Sequence, residues 1–274
     1  MIRGLSRKVG GFTILETIIV LTISSMIIAS AMLLFRTRIP RAQFANSVND
    51  LAIFFRDTYS HVSTGYYPNT GYSCSAPSFV PQLSPGGGGV GTNQDCIYLG
   101  QAVKFGQSSC TAGQDCDELK SFTIFGSRKK NSNDLAISLA DAHPQISDTY
   151  GIENYKIGYG LNVKKVRDNI NTYNGVSYTS SFGTAVVSDE PVGATQVELR
   201  PLSVSGGSLG LADGTFSSVF DSSSLSNSLP SEGILICLKS GTTDQYATIL
   251  LGRGGNASSV ETEILDLSAW NTKC

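Results

Sequence analysis

The chain has 274 residues, with 20 Lys or Arg against 22 Asp or Glu, and only 15 % of its residues are charged. That balance excludes a chain-wide nucleic-acid surface, because neutralising many phosphates needs a clear excess of cations. The length supports one sizeable domain or two small ones, and 29 Gly beside 2 His favour turn-joined strands over a histidine-built metal or catalytic centre.

Met1 to Gly10 is a short basic leader with Arg3, Arg7 and Lys8. Gly11-Phe12-Thr13-Ile14-Leu15-Glu16 then opens an apolar run that continues to Phe35, and Thr17 to Phe35 holds nineteen residues without a charge. From Phe12 the run makes about 36 Å of helix at roughly 1.5 Å per residue, enough to span a bilayer. An ionisable group in lipid is costly and functional by default, so Glu16 requires a partner. Three readings compete: a plain transmembrane anchor, a cleaved secretory signal ending at Ala29-Ser30-Ala31, and a leader cut after Gly11. The secretory signal explains neither Glu16 nor the apolar Leu33, Leu34 and Phe35. Arg36, Arg38 and Arg41 match the leader's charge, so the positive-inside rule assigns no orientation.

Beyond Phe35 the pattern becomes one-sided. Phe44, Val48, Leu51, Phe55, Tyr59 and Val62 recur at helical steps, while Gln43, Asn46, Asn49, Asp50, Arg56 and Asp57 take the other faces. The spacing predicts a single helix from about Phe12 to about His61, roughly 75 Å long at the usual rise. Pro40 removes an amide donor and clashes with the preceding turn, so a kink or break is expected between Arg36 and Pro40.

Residues 63 to 96 read as loop, with Ser84-Pro85-Gly86-Gly87-Gly88-Gly89 as a flexible link. Strands are expected at Ile97 to Phe105, Ser121 to Phe125, Tyr155 to Val163, Ser177 to Ser188 and Thr195 to Leu202. Asp134 to Ala140 fits helix or strand. Gly233 to Leu238 and Gln245 to Leu251, joined by a glycine-containing turn, make a hairpin.

The Gly11-Phe12-Thr13-Ile14-Leu15-Glu16 string fused to a spanning helix resembles the N-terminus of type IV pilin and pseudopilin precursors, over about 50 residues. The resemblance implies cleavage after Gly11 by a prepilin peptidase, N-methylation of the new terminal residue Phe12, and Glu16 as the assembly residue at the fifth mature position. It also implies a cytoplasmic leader and an extracytoplasmic head. The helix breaker of many type IV pilins falls at a position occupied here by Leu33; Pro40 comes seven residues later. The C-terminal hairpin with Gly252-Arg253 is similar, over about 25 residues, to that of H-type pseudopilins of type II secretion and FimT-like minor pilins.

The expected fold is therefore α+β and pilin-like: leader 1–11, transmembrane helix 12–35, amphipathic helix 36–62, and a β-rich, disulfide-stapled head 63–274. Without Arg3, Arg7 and Lys8 the net charge moves to −5. Implied partners are other pilin or pseudopilin subunits through the N-terminal helix, the prepilin peptidase, an inner-membrane assembly platform, and the bilayer before assembly. The length favours a minor pilin or pseudopilin in a type IV pilus or type II secretion-like filament, membrane-held first and in a surface or periplasmic filament afterwards. The alternative is a pilin-anchored adhesin or a ligand- or DNA-binding surface protein, with recognition carried by a long loop such as Ser63 to Asp95.

All six cysteines, Cys74, Cys96, Cys110, Cys116, Cys237 and Cys274, lie beyond the spanning segment. An even number in an exported domain suggests disulfides, with many connectivities open. The order-preserving set is preferred: Cys74–Cys96, Cys110–Cys116 and Cys237–Cys274. Zinc is disfavoured, since no Cys-x-x-Cys exists and His61 and His143 are the only histidines. Asp115, Asp117 and Glu118 are read as a solvated acidic turn rather than a calcium site. Arg128-Lys129-Lys130 with Lys164, Lys165 and Arg167 are read as solvated loops rather than a patch. Gly86 to Gly89 lacks the lysine of a phosphate loop. Arg253 has no second arginine beside it, and a lone cation contributes little to DNA binding at physiological salt. No metal, cofactor or catalytic residue is expected, and nothing reads as an enzyme.

Overall fold

The computed structural model describes residues 13–65, 72–76, 78–86, 96–106, 117–180, 196–203, 209, 212–220, 223–225, 228–241 and 243–274. The chain divides into two compact units, one reaching Gln43 and one running from Phe44 to Cys274.

A helix, α1 (Ile14–Thr64), contributes to both units. In the first unit its side chains from Ile14 to Met32 are mostly exposed, with Ile14, Leu21 and Met26 at 80 %, 68 % and 74 %. Such an apolar exterior needs lipid or other apolar partners rather than water. The hydroxyls along it do not break the pattern: Thr17, Thr22 and Ser25 donate to the carbonyls of Ile14, Ile19 and Thr22, and Ser30 to that of Met26. These four hydroxyls are satisfied within the helix itself, as an apolar medium favours.

Of the kink or break expected between Arg36 and Pro40, the break is absent: α1 runs without interruption through Pro40. Proline costs one hydrogen bond and a clash, about 3 kcal/mol. Two new helix ends would orphan four donors and four acceptors, so continuity is the smaller loss.

In the second unit the amphipathic stripe is buried. Phe44, Val48, Leu51, Phe55 and Val62 are each at or below 3 % exposure, and Tyr59 packs at the margin. Asn46, Asn49, Asp50, Arg56 and Asp57 stay exposed. Two side chains tie the helix to the strands: Ser47 Oγ donates to the Gly158 carbonyl (2.8 Å) and Arg56 to that of Val260 (2.9 Å). α1 ends at Gly65, whose φ of +66° supplies the left-handed turn that L-residues resist.

The segment read as loop beyond the helix contains a two-stranded hairpin, β1 (Tyr72–Ser75) with β2 (Gln82–Pro85). β3 (Cys96–Phe105) and β4 (Glu118–Ser127) follow, then β5 (Ile152–Lys156), β6 (Leu161–Arg167), β7 (Gly175–Ser180) and β8 (Val197–Leu202). A short helix, α2 (Asp213–Val219), precedes β9 (Ile234–Ser240), β10 (Tyr246–Leu251), β11 (Val260–Leu265) and α3 (Leu267–Lys273). The order β5-β4-β3-β7-β8 makes a five-stranded sheet and β11-β10-β9-β6 a four-stranded one, with every neighbouring pair antiparallel.

Several expectations are corrected. Tyr155 to Val163 is not one strand: it turns at Tyr159 and Gly160, with φ of +53° and +63°, so β5 and β6 belong to different sheets. Asp134 to Ala140 is neither helix nor strand but turns closed by one bridge, Lys129 to Leu135. β7 stops at Ser180, and residues 181–195 lie outside the described residues. The hairpin of β9 and β10 forms, in the register Ile236 to Ile249, and is widened by β11 and β6 into a full sheet.

One core cluster joins the α1 stripe to inward residues of both sheets, among them Phe105, Val176, Ile236, Leu238 and Ile249. A second covers the opposite face of the five-stranded sheet, where Ala102, Phe122 and Ile124 meet Phe216 and Phe220 of the α2 region. β3 and β4 are buried on both faces over most of their length, although Gln101, Lys104, Ser121 and Thr123 interrupt the apolar residues.

Cys237 and Cys274 are joined by a disulfide, their Cα atoms 5.9 Å apart. It pins α3 against the sheet, where Trp270 packs on Tyr246 with ring centroids 5.1 Å apart. Cys96 is also disulfide-bonded. Cys74 lies in β1, while Cys110 and Cys116 fall outside the described residues. Cross-linking residues 37 apart removes loop entropy from the unfolded chain, an effect of about 4 kcal/mol in the chain-entropy account. Replacing Cys237 and Cys274 by serine should lower the urea midpoint by a matching amount, read through the single tryptophan, Trp270. An unchanged midpoint would show that the bridge contributes nothing to stability.

Candidate functional site

The sequence singles out the start of α1, and Thr13 and Glu16 are built there as a reciprocal cap. The Glu16 Oε2 accepts from the Thr13 backbone N–H (3.2 Å) and from Thr13 Oγ1 (3.3 Å), while the Glu16 N–H donates to Thr13 Oγ1 (3.3 Å). This is the capping-box arrangement, in which residues three apart satisfy donors that a helix start leaves open. A carboxylate there also meets the positive end of the helix dipole. All of these bonds end on Oε2 or Thr13 Oγ1; among the described residues, Glu16 Oε1 has no recorded partner. A carboxylate has about four acceptor positions, so the cap leaves Glu16 able to take a cation from outside the chain. Behind it, Ile14–Met32 is long and apolar enough to cross a membrane. Gly11 and Phe12 lie outside the described residues.

Thr13 and Glu16 at a spacing of three were legible in the sequence as a cap, but the string drew attention for its acid and its glycine. The pairing gives Glu16 a local task, as part of the cap that starts α1.

The head holds a second charged constellation that the sequence reading missed. Lys104 of β3 and Lys120 of β4 face each other across the strands, and both reach Asp213 at the start of α2. Lys104 bonds Asp213 Oδ1, and Lys120 Nζ lies 2.5 Å from Oδ2. The Lys104 side chain is fully buried, and burial pushes its ammonium below the usual lysine range against the pull of Asp213. For Asp213, burial acts to raise the carboxyl, but the hydrogen bonds from Lys104 and Lys120 outweigh it and hold it below the ordinary value. The arrangement clamps α2 onto the second core cluster. Nothing in Val103-Lys104-Phe105 signals it, because a lone lysine in an apolar strand reads as a solvent-facing position.

A third feature is an open groove of about 690 Å³ on the four-stranded sheet, with Thr248 and Leu250 on its floor and Arg167, Glu232, Arg253 and Glu261 at its walls. Arg253, the residue of the possible DNA contact, pairs with Glu261 at 2.8 Å. Arg167 donates to the carbonyls of Asp168 and Asn169, and Lys165 to that of Cys274. Arg128 to Lys130 follow β4 in the other sheet, and Lys130 pairs with Asp141 at 2.8 Å. The two basic runs therefore sit on different sheets. Asp115 is outside the described residues; among those described, no group of three or more His, Cys, Asp or Glu could hold a metal ion.

No family model, curated protein or solved structure matches the chain.

Removing Asp213 should strand the buried Lys104. Asp213→Ala is expected to destabilise the head by on the order of 3 kcal/mol, and adding Lys104→Met should recover part of the loss. In the parent, Asp213 has a depressed folded pKa, so its contribution is present above the unfolded value of 3.8 and is lost as pH falls through the folded one. Lys104, also depressed, makes stability rise further toward pH 10.5, because the unfolded chain then binds more protons. Unfolding midpoints measured across pH should show both slopes. An Asp213→Asn variant that keeps the full acid slope would remove Asp213 as its source.

Proposed function

We propose that the chain is a structural subunit, a minor pilin or pseudopilin, of a type IV pilus or type II secretion-like filament. The observation that carries this reading is Glu16, capped by Thr13 yet open at Oε1, at the head of an apolar helix whose second half is built into a β-rich head. A plain anchor needs Glu16 only as a cap; an assembling helix also uses the acceptor capacity that the cap leaves over.

The chemistry follows from charge. Cleavage after Gly11 frees an amine on Phe12, and a methylated amine stays protonated at neutral pH. In the bilayer Glu16 keeps its cap and lies near the headgroups. When the helix enters a bundle of like helices, a neighbouring subunit's Phe12 ammonium meets Oε1 while Oε2 remains capped. An unpaired buried charge costs several kcal/mol, and one axial register satisfies both charges together. Lipid and neighbouring helices are both apolar, so movement between them is nearly balanced and the ion pair tips it. The prepilin peptidase and the inner-membrane assembly platform act before and during this transfer, with the disulfide-bearing head on the extracytoplasmic side. The chain performs no catalysis in this scheme and needs no cofactor.

N-terminal sequencing and intact mass of the processed protein test the reading. The expected product starts at methylated Phe12, and Gly11→Leu leaves the precursor in the membrane. Glu16→Ala should be cleaved normally yet enter filaments on the order of a hundredfold less, since it strands the partner's amine at a cost of about 3 kcal/mol. A product starting at Met1, or full incorporation of the alanine variant, would sink the proposal.

A further inference from the structure

Among the described residues, one loop of the head combines exposed aliphatic side chains with unpaired cations. After β4 the chain folds back on itself: the Lys130 N–H donates to the Asp134 carbonyl (3.0 Å), the Ala136 N–H to the Arg128 carbonyl (3.0 Å), and Lys129 bridges to Leu135. Asn131 holds the tip, its Oδ1 accepting from the Asn133 and Asp134 N–H groups. Period-two geometry then sorts the returning arm. Ala136 turns inward and packs on the second core cluster, while Leu135 and Ile137 on either side are 52 % and 68 % exposed. Lys129, opposite Leu135, projects to the same side as directly bridged residues do.

The charges beside this pair divide into engaged and exposed ones. Lys130 is engaged with Asp141, and Asp134 accepts from Asn131 Nδ2 at 2.7 Å. Arg128 and Lys129 are exposed and have no recorded side-chain partner among the described residues. Single exposed aliphatics are ordinary. Two of them fixed side by side next to two exposed cations form a small amphipathic surface. Phosphate recognition alone would use the cations and leave Leu135 and Ile137 without a role. At an anionic bilayer both are used: cations among the headgroups and aliphatics at the acyl boundary.

We infer that the Arg128–Ile137 loop is a contact site for an anionic lipid surface. Its internal hydrogen bonds and bridge brace the loop, which lowers the ordering entropy that opposes contact. Two cations and two aliphatic side chains make a weak site alone, which becomes effective when many copies act together or when the helix already tethers the chain beside the surface. The inference does not rest on filament assembly, and the Glu16→Ala experiment can fail without touching it.

The test uses the full chain held in phosphatidylcholine nanodiscs and mixed with separate vesicles of phosphatidylcholine, with or without phosphatidylglycerol. Flotation reads the discs carried up by vesicles. Discs should float with anionic vesicles only, and less as salt rises. R128Q/K129Q should lower partitioning about thirtyfold, equivalent to roughly 1 kcal/mol for each cation near an anionic surface. L135S/I137S should lower it separately and leave the salt dependence in place. The leader cations Arg3, Arg7 and Lys8 are common to every variant, so the differences read the loop alone. All four positions are exposed, and matching unfolding midpoints check that the variants fold. Equal flotation with neutral and anionic vesicles overturns the inference, as does flotation indifferent to L135S/I137S. Binding to duplex DNA that R128Q/K129Q abolishes, without vesicle binding, also overturns it and makes the loop a phosphate site.

Discussion

Leu51 and Phe55 of α1 are completely buried in a cluster to which both sheets contribute, and this seating is the contact on which the rest of the head depends. Neither sheet could keep its inward face out of water alone, since an antiparallel sheet needs one covered side. The helix covers both with one stripe. Burying side chains of this size contributes about 1.5–3 kcal/mol each, so Phe44, Val48, Leu51, Phe55 and Val62 together outweigh any single polar contact in the unit. The same helix begins with an exposed apolar surface, Ile14 to Met32, long enough to cross a membrane, so the residues that organise the second unit are covalently continuous with it.

The start of that helix poses a different problem. A carboxylate is tolerable in apolar surroundings only when its acceptor positions are used. Thr13 uses some of them, on Oε2. Among the described residues Glu16 is capped through Oε2 alone, which leaves the acceptor capacity that the proposed assembly contact would use. The hydroxyls of Thr17, Thr22, Ser25 and Ser30 each return to a carbonyl of their own helix, and Glu16 is the one ionisable group on Thr13–Met32.

The five-stranded sheet carries the second organising constraint. Its outer face is covered by α2 and by the chain between β4 and β5, which makes a smaller core around Phe122, Phe216 and Phe220. Lys104 falls under this cover, and a buried ammonium must be paired. Asp213 answers both Lys104 and Lys120, fixing where α2 begins. The loop above the same core presents Leu135 and Ile137 outward because Ala136 and Leu139 are taken inward. Packing on one side thus dictates what the other side offers to solvent.

The sequence by itself determined the features that depend on neighbours along the chain. The apolar run, the Thr13-x-x-Glu16 spacing, the stripe from Phe44 to Val62 and the hairpin of β9 and β10 are periodic or adjacent patterns, and backbone geometry converts these into structure without help. Only the tertiary structure decided that the chain passes Pro40 without a break, that Tyr155 to Val163 divides between two sheets, and that Lys104 is buried against Asp213, 109 residues away. Only it set Arg253 against Glu261, whereas the Cys237–Cys274 bridge is already the preferred pairing from the order of the cysteines. The physical reason is that burial and pairing across a fold depend on which faces come to be covered, and a residue's own neighbours in sequence carry no record of that.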